Sequence, residues 1–160
     1  MTTNIFQIAE RHWAKGPPVD IQAIIREVGV EYTELPKPPS VSGLIEAYGG
    51  GYRIVVNSSH SLVRRRFTAA HELGHFVYHR DIIGDGIVDD AAYRSERIGQ
   101  YNGTKIRHEY ETQANRFAAI ILMPTMLLDQ LQARHTPIPE MARQLQVSVE
   151  ALRIRLDVAD

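Results

Sequence analysis

The pattern of apolar and polar residues changes period several times along the chain, and each change predicts an element. Residues 4–15 repeat apolar groups at helical spacing and end before Gly16-Pro17-Pro18, which reads as a turn. Asp20 is placed to cap a second helix reaching Val28, with Gly29 closing it, and residues 30–35 read as a strand. After a proline-rich break, residues 41–48 and 52–57 face each other across Gly49-Gly50-Gly51 as a β-hairpin. Strand 52–57 is the candidate edge on which an extended peptide would be held by main-chain hydrogen bonds, the alternative being a merely structural hairpin strand. Residues 81–105 are rich in Gly, Asp and Tyr without a sustained period, so loop and short strands are expected there, as a wall or lid over a cleft. Residues 108–123 return to a helical run that stops at Pro124. Three shorter helical patterns follow at 125–134, 139–146 and 149–158, the last with Ser148 as its cap.

Residues 62–79 make an unusual helix. At about 100° per residue, Thr68, His71, Glu72, His75, Tyr78 and His79 share one arc, and apolar residues such as Phe67, Leu73 and Phe76 cover most of the rest. The helix should therefore be largely enclosed, and enclosed imidazoles and carboxylates need partners. The pentapeptide His71-Glu72-Leu73-Gly74-His75 indicates which. Side chains four apart on a helix lie about 5–6 Å from each other, so two imidazoles reach one ion from the same face. Glu72 falls on the flank of that face, where a carboxylate takes a proton from metal-activated water. The competing reading is a core helix with incidental histidines.

Catalytic zinc normally takes three protein ligands, so a third is expected from elsewhere. In the helix 108–123, Glu111, Asn115, Ala118 and Leu122 share one face. This pattern offers Glu111 as ligand, Asn115 as hydrogen-bond partner of a ligand histidine, and a small alanine where helices approach. Glu109 is two residues away, about 200° around the helix, and points elsewhere. His79 is about 12 Å along the axis from His71, too far to share its ion, and is read as a supporting or helix-end residue. Donors to a developing oxyanion are sought among Tyr93, Arg94, Tyr101, His108 and Tyr110.

With both helices in view, the chain resembles the ImmA/IrrE family of metallo-endopeptidases. The likeness rests on Ile54-Val55-Val56-Asn57, on Arg66-Phe67-Thr68-Ala69-Ala70 running into the pentapeptide, on Glu111-Thr112-Gln113-Ala114-Asn115-Arg116-Phe117-Ala118, and on Leu122-Met123-Pro124. The resemblance implies an α+β, zincin-like core, zinc on His71, His75 and Glu111, and Glu72 as the catalytic acid and base. It also implies a protein substrate, since members of the family commonly act on helix-turn-helix repressors, and hence a place in transcription regulation.

Composition narrows the setting. At 160 residues, 44% hydrophobic and 23% charged, the chain is sized for one well-buried core. A net charge of −1 gives no broad basic field, so direct nucleic-acid binding is not expected. Without cysteine, a histidine and carboxylate set is the transition-metal option; Zn²⁺ is preferred, with Mn²⁺ or another divalent ion as alternatives. The N-terminus lacks a leader pattern and no long apolar span follows, which reads as a cytoplasmic, soluble protein without a membrane partner. Two units are expected: residues 1–124 as the zincin-like catalytic domain with a small antiparallel sheet, and 125–160 as a helical extension. The extension's last two helices are helix-turn-helix-like. They suit packing on the core, docking to a protein, or, through Arg143, Arg153 and Arg155, contact with DNA. The alternatives to a peptidase are a metal-stabilised regulatory module and a DNA-associated factor; Glu72 argues against both, since a purely structural site needs no general base.

Overall fold

The computed structural model describes residues 4–84, 86–90, 100–101, 104–105 and 108–157, with 86–90, 100–101 and 104–105 entering as backbone. Helix α1 (Ile5–Trp13) starts at Asn4, whose side chain accepts from Phe6 N at 2.9 Å. Helix α2 (Ile21–Glu27) starts at Asp20, which accepts from Ala23 N at 3.1 Å. Both caps satisfy backbone donors that a helix leaves open at its first turn. Strands β1 (Glu31–Leu35), β2 (Val41–Tyr48) and β3 (Gly51–Asn57) then lead into α3 (Leu62–Ile83). Beyond it come β4 (Gly86–Asp90), β5 (Gln100–Tyr101), β6 (Thr104–Lys105) and α4 (His108–Leu122). The chain finishes with α5 (Thr125–Ala133), α6 (Ile138–Leu145) and α7 (Val149–Leu156).

The strands form one sheet in the order β1-β3-β2-β4-β5-β6. All neighbours are antiparallel except β1 and β3, which run parallel with Glu31 opposite Arg53 and Leu35 opposite Asn57. This corrects one expectation: the strand after the hairpin turn is not an edge. Both sides of β3 are paired, with β1 along Arg53 to Asn57 and β2 along Gly51 to Val56, so it does not present an open edge for strand addition by a peptide. Hairpin signals show which strands a turn joins; they carry nothing about a strand returning to the far side. The Asn57 side chain secures that return. It is fully buried, donates to the carbonyls of Lys37, Pro38 and Val41, and accepts from Lys37 N and Ser59 N, which ties the proline-rich connection to the end of β3.

Helix α3 lies across β2 and β3. At Gly43 a Cβ would stand 2.7 Å from Val55 O and 2.8 Å from Thr68 Cγ2, so only glycine lets the helix come this close. Helix α4 packs on the other flank of α3, at Gly74. There a Cβ would meet Ala114 Cα at 3.2 Å. Gly43 thus sets how closely α3 approaches the sheet, and Gly74 with Ala114 how closely α3 and α4 approach each other.

A single apolar cluster runs from Ile8 and Ile24 through Ile54, Leu73 and Ile121 to Leu145 and Leu152. The helices after Pro124 belong to it. Arg66 reinforces the contact, its Nη2 donating to Val19 O at 2.8 Å and its Nε to Gln146 O at 3.3 Å. Arg155 Nε donates to Met123 O at 3.1 Å. No helix among the described residues is long and apolar enough to cross a membrane.

Candidate metal centre

Where α3 crosses α4, His71, His75 and Glu111 converge, with their ligating atoms all within 4.8 Å of one another. Glu111 Oε2 is 3.0 Å from His71 Nε2, and Oε1 is 3.3 Å from His75 Nε2. An ion with tetrahedral bonds near 2.0–2.1 Å separates its ligand atoms by about 3.3 Å, so the donor set fits a divalent metal in type and in spacing. All three side chains are buried, whereas Glu109 is exposed on the other side of α4.

The protonation states suit an ion as well. Burial pushes the His75 imidazole down to about 4. For Glu111, burial raises the pKa, but the two imidazoles beside it outweigh this and hold the carboxyl well below its usual range. These effects are linked, because a neutral His75 attracts the carboxylate less. The state common to both is a neutral imidazole beside an ionised carboxylate, the form in which these groups ligate.

Hydrogen bonds behind the donors fix which nitrogen faces inward. Asn115 Oδ1 accepts from His71 Nδ1 at 2.8 Å, so the ring presents the Nε2 lone pair. His75 is held by a longer chain. Gln113 Oε1 is 2.8 Å from His79 Nε2, and His79 Nδ1 is 2.8 Å from His75 Nδ1. The amide oxygen only accepts, so His79 Nε2 donates to it; burial keeps His79 below its ordinary pKa and neutral, which makes its Nδ1 an acceptor. His75 Nδ1 must then donate, and its Nε2 lone pair is turned towards Glu111. His79 takes up this position where α3 departs from helical geometry, at φ −122° and ψ 15°. Periodicity did not indicate Gln113. It lies two residues from Glu111 on an exposed part of α4, and only its length and the kink at His79 bring the two together.

Glu72 is fully buried next to this cluster, and neither carboxylate oxygen has a hydrogen-bond partner among the described residues. Of the donors sought for an oxyanion, Tyr93 and Arg94 lie outside the described residues, as does the Tyr101 side chain. Tyr110 packs its ring against His79 with centroids 4.8 Å apart, and His108 lines a cleft of about 710 Å³ that opens onto Glu111 and Asn115.

Residues 25–157 match the sequence profile of the IrrE N-terminal-like domain, a peptidase family. The chain belongs to this family. The match runs through α3, α4 and on past Pro124 to α7. Among relatives of the IrrE-like domain, the radiation response metalloprotease IrrE of Deinococcus deserti is 36% identical over 99 residues, covering 59% of this chain and 32% of that protein. The protein of the same name from Deinococcus radiodurans is 33% identical over 102 residues, covering 61% of this chain and 28% of its own length. The chain thus aligns with about a third of each. A solved Mycobacterium tuberculosis transcriptional regulator superposes with a TM-score of 0.59 at 16% identity, over 96% of this chain and 46% of that one. At that identity the likeness is one of fold.

Proposed function

We propose that this IrrE-like domain is a zinc-dependent metallo-endopeptidase that cleaves a helix-turn-helix transcriptional repressor in the cytoplasm. The observation that carries the reading is Glu72: a carboxylate without a hydrogen-bond partner among the described residues, fully buried, beside three converging metal-type donors. In this reading residues 1–124 are the catalytic domain and 125–160 a helical extension whose α5, α6 and α7 share its core. A divalent ion on His71, His75 and Glu111 supplies Lewis acidity and lowers the pKa of water; Zn²⁺ suits this donor set, and Mn²⁺ is an alternative.

The protein's own part begins with Glu72, which accepts a proton from the water attacking the carbonyl carbon of the scissile bond. It then delivers that proton to the amide nitrogen as the C–N bond breaks, which leaves one new carboxyl and one new amine terminus. Asn115 holds His71, and His79 holds His75, so neither ring turns during the cycle. Enclosure keeps bulk water away from Glu72. A protein substrate is favoured over DNA because, of the three arginines on the last two helices, Arg143 is paired to Glu140 and Arg155 is committed to Met123 O, which leaves Arg153 alone to meet phosphates in a chain of net charge −1.

The test is incubation of the zinc-loaded protein with the repressor encoded beside its gene, followed by mass spectrometry of the fragments. Cleavage at one bond, abolished by a chelator and restored by zinc, is the expected result. An intact repressor alongside cleavage of other polypeptides would overturn the substrate assignment, and no cleavage of any polypeptide would overturn the activity.

A further inference from the structure

The cleft that opens onto Glu111 continues between α4 and α7, away from the histidines. We infer that this groove selects the substrate and takes a polypeptide segment in which an apolar side chain sits beside an acidic one. The inference rests on the peptidase reading and adds a substrate class to it.

Continuity is the first argument. A cleft with a candidate metal ligand at one end and about 710 Å³ of space has the size of sites that enclose a short peptide or drug-sized ligand, about 300–1,000 Å³. Its lining is the second. Phe67, Ala119 and Ala151 give an apolar surface, and Ile154 joins them although it is 73% exposed, the highest exposure among the large apolar side chains described. An aliphatic group left open on the wall of an apolar cleft is covered when a partner fills that cleft.

Charge is the third argument. Arg64 and Arg116 line the same space, and neither has a hydrogen bond or ion pair among the described residues. Arg64 Nε is fully buried in that state. Among the described lining residues these two guanidiniums face Glu150 and Glu111, and a divalent ion on Glu111 would more than offset that second carboxylate. The metal-loaded groove is therefore cationic in a chain of net charge −1, and a cleft with apolar walls concentrates such a field. A carboxylate brought there gains charge-assisted bonds from arginines that give up none to provide them. A lysine in its place would be repelled. On this account α7 is a wall of the substrate site.

The experiment uses the full zinc-loaded chain carrying Glu72→Gln, so that peptides bind without being cut, and reads fluorescence anisotropy. The probes are fluorescein-labelled peptides of about twelve residues, identical except for glutamate, glutamine or lysine beside one leucine. The glutamate peptide should bind about tenfold more tightly than the glutamine one, with lysine weakest. Arg64→Gln combined with Arg116→Gln should erase the order, and Arg116→Glu should shift it towards lysine. Equal binding of the three peptides, or an order unchanged in the arginine variants, would overturn the inference. Cleavage by the wild-type chain is measured in parallel. Peptides cut without regard to the acidic residue would sink the groove and leave the peptidase standing, whereas ordered binding with no cleavage would do the reverse.

Discussion

Replacing His79 with alanine should weaken zinc binding although His79 is not placed as a ligand. In the folded protein His75 Nδ1 donates to His79 Nδ1 at 2.8 Å, and both rings are buried. Alanine leaves that donor enclosed and unsatisfied, at a cost of about 1–3 kcal/mol. The free protein can escape the cost by moving the proton to Nε2, the nitrogen turned towards Glu111, but zinc binding reverses the move. The penalty thus falls on the bound state. At about 1.4 kcal/mol per tenfold it corresponds to roughly 5–150-fold in affinity, which brackets the 10–100-fold typical for partners of metal-ligating histidines. Competition with a chromophoric chelator at neutral pH measures the constant. Unfolding of the metal-free proteins separates this from lost packing against Tyr110, because any packing loss is present with or without metal. Gln113→Ala should act in the same direction and more weakly, since it frees His79 to rotate without removing the acceptor. Unchanged zinc affinity in His79→Ala, or a larger loss in Gln113→Ala, would refute the relay.

Glu72→Gln should keep one zinc per chain and lose nearly all cleavage, as the side chain still fits but no longer takes a proton; undiminished turnover would end its role as base. Glu111→Ala should lower zinc affinity by at least about tenfold while Glu109→Ala leaves it unchanged, a difference that calorimetric titration of the two metal-free variants resolves. Gly74→Ala should destabilise by about 1–3 kcal/mol in denaturant unfolding, because the new Cβ meets Ala114 backbone at 3.2–3.3 Å, and a net gain in stability would show that the helices are free to separate. Asn57→Ala should cost about 3 kcal/mol or more in the same assay, since it strips the proline-rich connection of its buried side-chain hydrogen bonds.

The parts that sequence revealed were those in which one periodicity does one job. The arc of His71, Glu72 and His75 follows from helical spacing alone, and Glu111 and Asn115 follow from the same rule on a second helix. Caps at Asp20 and Ser148 were legible because a short polar side chain before an apolar repeat has a local cause. What escaped depends on how elements meet. The pairing of β1 beside β3 made an internal strand of the expected edge. Gly74 lies within the pentapeptide yet acts through its distance to Ala114, and Gln113 reaches His79 only across the helix crossing. Arg64 and Arg116 are ordinary helix-surface residues in sequence; the cleft they share exists only when α7 is in place.

The central claim is that one divalent ion sits on His71, His75 and Glu111, and a crystal structure of the zinc-loaded protein, located by anomalous scattering at the zinc edge, tests it most directly. The account predicts a single ion bonded to Nε2 of both histidines and to the Glu111 carboxylate at about 2.0–2.2 Å, with the Asn115 and His79 hydrogen bonds retained behind them. Zinc bound through other side chains, or a protein that takes up no zinc at this crossing, would contradict it.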